Sequence, residues 1–212
     1  MKSVKNVFIV QHPLVQHKLT YCRQKKTMTK EFRSIVEEIS TLLMYEATRS
    51  FPLTEIDVRT PVSLGKGKVL ANPDVLFVPI LRSGLVMLNA GLRMVPSAKV
   101  GHLGIFRDPM TLSPVEYFRK IPTDVEHRKC FILDVMIATG GTSVAAVNSL
   151  KERGATKIKY ISLVAAREGI TALNRSHPDV EVYLADIDEK LNADAFIVPG
   201  LGDAGDRLYG TD

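Results

Sequence analysis

The feature that most constrains the fold is the stretch 131–146, which reads FILDVMIATGGTSVAA. It opens with a short apolar run, which is typical of a strand buried on both faces. Asp134 follows directly, and Gly140 and Gly141 then lead into a segment with a helical pattern that stops at Gly154. A glycine turn at a helix N-terminus presents N–H groups to an anion, and the helix dipole favours the same charge. The stretch therefore predicts a strand–turn–helix unit with an anion site.

The glycine pair alone would indicate only a tight turn between a strand and a helix. Asp134 and the hydroxyls of Thr139 and Thr142 favour a ligand site instead. Backbone amides and hydroxyls suit a phosphate, and a carboxylate suits the hydroxyls of a ribose. We interpret residues 134–142 as a site for a phosphate and a nearby sugar.

Four further buried strands are expected, and helical segments alternate with them. The strands are predicted at 75–81, 100–106, 158–166 and 180–187. This alternation predicts an α/β fold with a mainly parallel sheet flanked by helices and right-handed crossovers. The length of 212 residues predicts a single domain, 1–212.

Other segments give local predictions. An amphipathic helix is expected to begin with Thr29 as its cap and to run to about Arg49, and residues 59–67 are expected to form a turn. Residues 108–127 include three prolines, and 115–118 is expected to form one arm of a hairpin. This insertion is either a lid or an arm that contacts another subunit.

Two arginines follow predicted strands. Arg82 comes after 75–81, and Arg107 comes after 100–106. Since the carboxyl ends of parallel strands share one edge, both guanidinium groups are expected near Asp134. A guanidinium donates two parallel hydrogen bonds, which suits a pyrophosphate, although exposed arginines without a ligand are commoner.

Composition narrows the class of protein. A net charge of +5 suits an anionic substrate but not a concentrated nucleic-acid surface, and the basic cluster 23–26 is interpreted as solvated surface or a polar rim. Cys22 and Cys130 are expected to be reduced thiols. His12 and His17 are interpreted as structural or surface residues, not metal ligands. The short N-terminal apolar run and the lack of a membrane-length segment predict a cytoplasmic protein.

The C-terminal stretch 196–210 reads FIVPGLGDAGDRLYG and contains a literal G-x-G-x-x-G match. We reject a dinucleotide site because too few residues follow for the helix and βαβ unit that the motif requires. No Walker A sequence occurs either. Small residues would let a flat ligand reach backbone N–H and C=O groups, which match the imide edge of a pyrimidine. An irregular C-terminal loop is the alternative.

Six motifs occur together in this chain, namely HPLVQHKLT, YEATR, PILRSG, GHLGIFRDP, ILDVMIATGGT and PGLGDAGDR. In this order they resemble the uracil phosphoribosyltransferase family over nearly the whole chain. The resemblance implies a type I phosphoribosyltransferase fold with a small hood from the terminal segments. It implies that 5-phosphoribosyl pyrophosphate (PRPP) is bound by Arg82, Arg107, Asp134, Val135, Met136, Ile137, Ala138, Thr139, Gly140, Gly141, Thr142 and Asp203. It implies that uracil is bound, mainly through backbone groups, by Ile197, Gly202, Asp203 and Ala204.

The resemblance has departures. The family usually has proline where this chain has Val135, and it commonly has leucine and serine at Ile137 and Thr142. Val135 and Thr142 keep size or hydroxyl function. Arg167 stands where the family usually has proline, and no effect is assigned to it.

The reaction implied is attack of uracil N1 on C1 of PRPP, which gives UMP and pyrophosphate. Mg²⁺ would arrive bound to PRPP, and Asp203 is the candidate catalytic residue as a general base. GTP activation and a homo-oligomer are further expectations.

One alternative is the same chemistry with a purine or orotate. The other is a nucleotide-sensing regulator that binds RNA, which predicts a basic face that the scattered charges do not indicate.

Overall fold

The computed structural model describes residues 5–108 and 113–211, except for the side chain of Arg107. The strands are β1 (Val7–Ile9), β2 (Leu53–Arg59), β3 (Leu64–Leu70), β4 (Val75–Leu81), β5 (Lys99–Val100), β6 (His102–Arg107), β7 (Pro114–Lys120), β8 (Lys129–Leu133), β9 (Met136–Ile137), β10 (Lys157–Ala166), β11 (Glu181–Asp188), β12 (Lys190–Leu191) and β13 (Ile197–Val198). The helices are α1 (Pro13–Arg23), α2 (Thr29–Ala47), α3 (Gly84–Met94), α4 (Gly141–Lys151), α5 (Arg167–Ser176) and α6 (Ala204–Tyr209).

The central sheet has the order β1-β11-β10-β8-β4-β6-β7, and its pairs are parallel except for β6 with β7. This confirms the predicted mainly parallel α/β fold. The chain continues from β4 towards β6 in one direction and from β8 towards β10 in the other. The order of the strands therefore reverses between β4 and β8, and open α/β sheets bind their ligands outside the strand ends at such a reversal.

Helices cover both faces of the sheet, which explains the continuous apolar runs. In β8, Phe131 and Leu133 belong to a core shared with α1, α2, α3 and α6. Cys130 and Ile132 point to the other face, where they join a core shared with α4 and α5. Each of these four side chains is fully buried. A strand with both faces covered has no polar alternation, so this strand was readily predicted.

Helix α2 begins one residue earlier than the capping prediction allows. Thr29 is its first residue, and Met28 is the N-cap, without a side-chain capping bond. The prediction of Thr29 as the cap is therefore wrong. Phe32 N–H donates to the carbonyl of Met28, so the backbone closes the first turn here. The helix ends at Ala47, close to the expected end.

Residues 59–67 do not form a simple turn. They belong to an antiparallel hairpin of β2 and β3, in which Leu53 pairs with Leu70 at one end and Arg59 pairs with Leu64 at the other. Most residues of both strands are exposed, so neither strand shows the alternation that burial of one face would produce. The hairpin arm predicted at 115–118 is confirmed, because β7 pairs with β6 over residues 114–120.

The two ends of the chain meet beside the sheet. Helix α6 packs against α2, and Arg207 donates to the carbonyls of Cys22 and Gln24 at the end of α1. Strands β12 and β13 form a separate antiparallel pair before α6. This assembly corresponds to the expected hood. None of the helices within residues 5–108 and 113–211 is both long and apolar enough to cross a membrane.

Candidate active site

The site begins at the carboxyl ends of β4 and β8, where the strand order reverses. Pro79 pairs with Leu133, so Arg82 and Ser83 leave the sheet beside Asp134. Gly84 begins α3 directly against this edge. A Cβ on Gly84 would lie 2.2 Å from the carbonyl oxygen of Leu133, which no side chain could tolerate. The absence of a side chain at this position therefore lets α3 start close enough to bring Ser83 to Asp134.

The buried carboxylate of Asp134 accepts several hydrogen bonds. Ser83 Oγ donates to Oδ1 over 2.8 Å, and Tyr160 OH donates to Oδ2 over 3.4 Å. The backbone N–H groups of Val135 and Met136 also donate to it. Burial raises the pKa of Asp134 from 3.8 to about 6, although these hydrogen bonds oppose the shift. The carboxylate is thus available as an acceptor at neutral pH and close to protonation in mild acid.

The turn before α4 depends on Gly140. Its φ is +86°, in the left-handed region, and an added Cβ would lie 2.7 Å from the carbonyl oxygen of Gly169. Gly169 packs tightly against the same loop, since its own Cβ would meet the carbonyl oxygen of Ala138 at 2.3 Å. The start of α5 therefore supports the loop that leads into α4. The first N–H groups of α4 have no carbonyl within the helix to bind, which suits an anion.

These elements enclose a cleft of about 340 Å³. The residues predicted to bind PRPP that line it are Arg82, Asp134, Met136, Ala138, Thr139, Gly140, Thr142 and Asp203. Val135 and Ile137 have side chains buried in the core, so any contact that they make with a ligand would come from the backbone. Gly141 is the first residue of α4.

A second cavity of about 260 Å³ adjoins the cleft. Ile197 and Gly202 line it, and Met136, Ala138 and Asp203 line both spaces. Ala204, which was predicted to bind uracil, lines the first cleft instead. Among the described residues, the N–H and C=O groups of Gly202 have no hydrogen-bond partner. The structure thus provides two adjoining spaces with a common wall.

Of the two predicted arginines, Arg82 reaches the cleft with its side chain. Arg82 lies in the cleft, and its Nη1 donates to Thr211 Oγ1 over 3.1 Å while Nη2 lies 3.5 Å from Asp206 Oδ1. Tyr209 OH donates to the carbonyl of Arg82 over 2.9 Å, so the C-terminal segment contacts this residue at several points. The side chain of Arg107 lies outside the described part, and its backbone ends β6 beside β4.

The family model for uracil phosphoribosyltransferase matches residues 9–211. A uracil phosphoribosyltransferase from a Geobacillus species is 56% identical over 205 residues, which cover 97% of this chain and 98% of the relative. One from Dictyoglomus turgidum is also 56% identical over 205 residues, covering 97% and 99%. This chain belongs to the uracil phosphoribosyltransferase family. The membership predicted from the six motifs is confirmed.

Solved structures agree with the fold of this family member. A protein from Aquifex aeolicus superposes with a TM-score of 0.92 at 37% identity, covering 97% of this chain and 99% of that one. The adenine phosphoribosyltransferase of Trypanosoma brucei superposes with a TM-score of 0.60 at 10% identity, covering 88% and 86%. The second similarity is one of fold alone. Together they confirm the predicted type I phosphoribosyltransferase architecture.

One part of this uracil phosphoribosyltransferase fold was misjudged from the sequence. Arg23 was interpreted with its basic neighbours as solvated surface or a polar rim, but it is largely buried and forms ion pairs with Asp188 and Asp186. It also donates to the carbonyl of Gly200 over 2.8 Å, and Gly200 N–H donates to Asp188 Oδ2 over 3.0 Å. Burial lowers the pKa of Arg23, but the two aspartates outweigh it and raise the pKa overall. Arg23 thus fixes the turn that precedes Gly202.

Two polar residues beside Asp134 were not singled out from the sequence at all. Ser83 was visible as part of the motif PILRSG, but its hydrogen bond to Asp134 depends on strand pairing. Tyr160 lies within the mainly buried strand β10, and no motif of the sequence includes it. A polar hydroxyl in the middle of a strand buried on both faces is the one hint that the sequence offers.

Proposed function

We propose that the protein transfers the 5-phosphoribosyl group of PRPP to N1 of uracil, giving UMP and pyrophosphate in pyrimidine salvage. The observation that supports this best is the pair of adjoining cavities with a common wall of Met136, Ala138 and Asp203. A transfer between two small molecules needs such neighbouring sites. Membership of the uracil phosphoribosyltransferase family supports uracil as the acceptor.

The larger cleft is the proposed PRPP site. Asp134 would accept hydrogen bonds from the ribose hydroxyls, and the backbone from Thr139 to Thr142 would donate to the 5′-phosphate at the start of α4. Arg82 and Arg107 would bind the pyrophosphate. Arg82 lines the cleft and is exposed, so a ligand can reach its guanidinium group.

The second cavity is the proposed uracil site. Its Gly202 backbone groups have no partner among the described residues, so they are free to bind the imide edge of the base. Ile197, which also lines this cavity, would contribute backbone contacts. Ala204 lines the cleft beside this cavity, which suits a contact at the junction of the two substrates.

Positioning dominates the proposed mechanism. The bond from C1 to pyrophosphate would break ahead of attack by N1, so positive charge would develop on the ribose while the arginines stabilise the departing group. Asp203 lines both cavities and is the proposed acceptor of the N1 proton. One of its oxygens, Oδ1, already accepts the N–H of Asp206 as the cap of α6, which fixes the carboxylate in place.

Mg²⁺ is proposed to enter as part of the substrate, chelated by PRPP. Within the described residues no group of three or more His, Cys, Asp or Glu side chains could hold a metal ion, while Asp134 and Asp203 line the cleft singly. Such single carboxylates suit a metal that brings most of its ligands with it. The family resemblance also leads us to propose a cytoplasmic homo-oligomer and GTP as a possible activator.

The acceptor is tested with purified protein, labelled PRPP, Mg²⁺ and a panel of bases containing uracil, hypoxanthine and orotate. We expect a labelled nucleotide with uracil and turnover at least 100-fold lower with the other bases. Conversion of hypoxanthine or orotate without conversion of uracil would contradict the proposed acceptor. The same assay with and without GTP tests activation.

A further inference from the structure

We propose that Tyr160 is a positioning residue for the PRPP site, which holds the carboxylate of Asp134 in register with the start of α4. This inference deepens the proposed function and rests on it. Tyr160 does not line either cavity, so it would act on the substrate only through its neighbours. It belongs to neither the loop 134–142 nor the C-terminal stretch from which the ligand contacts were predicted.

The geometry places one hydroxyl between two parts of the site. Tyr160 lies in β10, paired with Ile132 of β8, and is fully buried. Ser143 Oγ, in the first turn of α4, donates to Tyr160 OH over 3.0 Å. Tyr160 OH in turn donates to Asp134 Oδ2 over 3.4 Å. Since Ser83 donates to Oδ1, donors hold both oxygens of the carboxylate.

Packing alone does not account for the hydroxyl. A phenylalanine would fill the same space without a polar atom to desolvate, and a buried hydroxyl costs free energy unless it is hydrogen-bonded. Burial raises the pKa of Tyr160 well above its usual value, and the negative charge of Asp134 raises it further. The phenol therefore stays protonated at neutral pH and has a proton to donate to Asp134.

The direction of the hydrogen bonds also assigns a role to Ser143. Its hydroxyl lines the cleft, yet its proton is directed to Tyr160. It therefore has no proton left to offer a phosphate, which leaves Thr142 and the backbone amides as the donors. Ser143 acts as the link between α4 and Tyr160. Loss of the Tyr160 hydroxyl would release both the ribose carboxylate and the helix that binds the phosphate.

The test compares Tyr160→Phe with Tyr183→Phe, which is the matched control. Tyr183 lies on the neighbouring strand β11, is nearly buried, and hydrogen-bonds through its hydroxyl to Glu181 instead of Asp134. Michaelis constants for PRPP and uracil, kcat, and PRPP binding by calorimetry are measured for both variants. We expect Tyr160→Phe to raise the PRPP constants about 5- to 10-fold, since one hydrogen bond to a charged group is lost. The uracil constant should change less than about 2-fold, as should every constant of Tyr183→Phe.

The pH profile gives a readout that a purely structural role would not change. The Tyr160 hydrogen bond lowers the pKa of Asp134, so its loss should move the acid limb of kcat/KM for PRPP to higher pH. Ionisation of PRPP is common to both proteins and cancels in the comparison. In an Asp134→Asn background, Tyr160→Phe can act on PRPP binding only through the lost hydrogen bond from Ser143. Its effect in that background should therefore equal the effect of Ser143→Ala.

The outcomes separate this inference from the proposed function. If wild-type protein makes no UMP, the proposed function fails. If wild-type protein is active and Tyr160→Phe shows the wild-type PRPP constants and pH profile, the positioning role is wrong. If Tyr160→Phe does not fold, Ser143→Ala decides the matter, because a rise in the PRPP constant supports the link to α4 and an unchanged constant contradicts it.

Discussion

At the scale of residues, the site depends on one carboxylate in an unfavourable environment. Asp134 is about nine-tenths buried, and its charge is supported by Ser83, Tyr160 and two backbone amides. A water-exposed aspartate would be easier to ionise, but it would compete with solvent for the ribose hydroxyls. Burial therefore gives a stronger acceptor at the expense of folding stability.

Asp134→Asn should raise the PRPP Michaelis constant about 10-fold or more, because a neutral amide accepts hydrogen bonds more weakly than a carboxylate.

The raised pKa means that Asp134 contributes its full stability below about pH 3.8 and loses it as the pH rises through about 6. The free energy of unfolding of Asp134→Asn, relative to that of the wild type, should therefore increase from pH 4 to pH 7.5 by up to about 3 kcal/mol. Chemical denaturation at both pH values measures this gain. A difference that does not change with pH would contradict the burial of the charge.

Sequence reasoning located the residues of the site that follow strands and failed for those that depend on distant contacts. Arg82 and Asp134 were found because each ends an apolar run, and the sheet places such ends together. Tyr160 was missed because only the pairing of β10 with β8 brings it near Asp134. Arg23 was misjudged because Lys25 and Lys26 of the same cluster are exposed, while the partners of Arg23 lie more than 160 residues away.

At the scale of elements, the turn into α4 sets the geometry of the proposed phosphate site. Gly140→Ala should lower the free energy of unfolding by about 2 kcal/mol or more, because φ is +86° and the new methyl would meet the Gly169 carbonyl and Ala172. The PRPP Michaelis constant should rise with it.

Gly141→Ala is the matched control for stability. The nearest atom to its new methyl would be Pro114 Cδ at 3.6 Å, and alanine is favoured in a helix. We expect a change within about 1 kcal/mol of the wild type. Thermal or chemical denaturation measures the free energy of unfolding of both variants. Equal decreases would contradict the destabilisation assigned to the left-handed turn at Gly140.

A second element, the turn at Gly200, is fixed by Arg23 from α1. Arg23→Ala leaves the nearly buried Asp188 without its ion-pair partner, so the free energy of unfolding should fall by about 3–5 kcal/mol. Since Gly202 lies two residues after Gly200, the uracil Michaelis constant should rise more than that for PRPP. Lys25→Ala, at an exposed position of the same basic cluster, should leave both constants within about 2-fold of the wild type. An unchanged uracil constant in Arg23→Ala would contradict the link between the turn and the uracil site.

At the scale of the whole molecule, the termini and the sheet are expected to unfold together. We propose that residues 1–212 form one domain, because β1 extends the central sheet while α1 and α6 join the core beneath it. Denaturation followed by circular dichroism and by tyrosine fluorescence should give coincident single transitions. Two separated transitions would contradict this proposal. The exposed hairpin of β2 and β3 was not predicted because it contributes little to that common core.

Two adjoining cavities are proposed to bring PRPP and uracil together for transfer. The most direct measurement is identification of the products when purified protein is incubated with uracil, PRPP and Mg²⁺. We expect UMP linked through N1 of uracil, formed in equal amounts with pyrophosphate. Hydrolysis of PRPP without a nucleotide product, or no consumption of PRPP while uracil is present, would contradict transfer from PRPP to uracil.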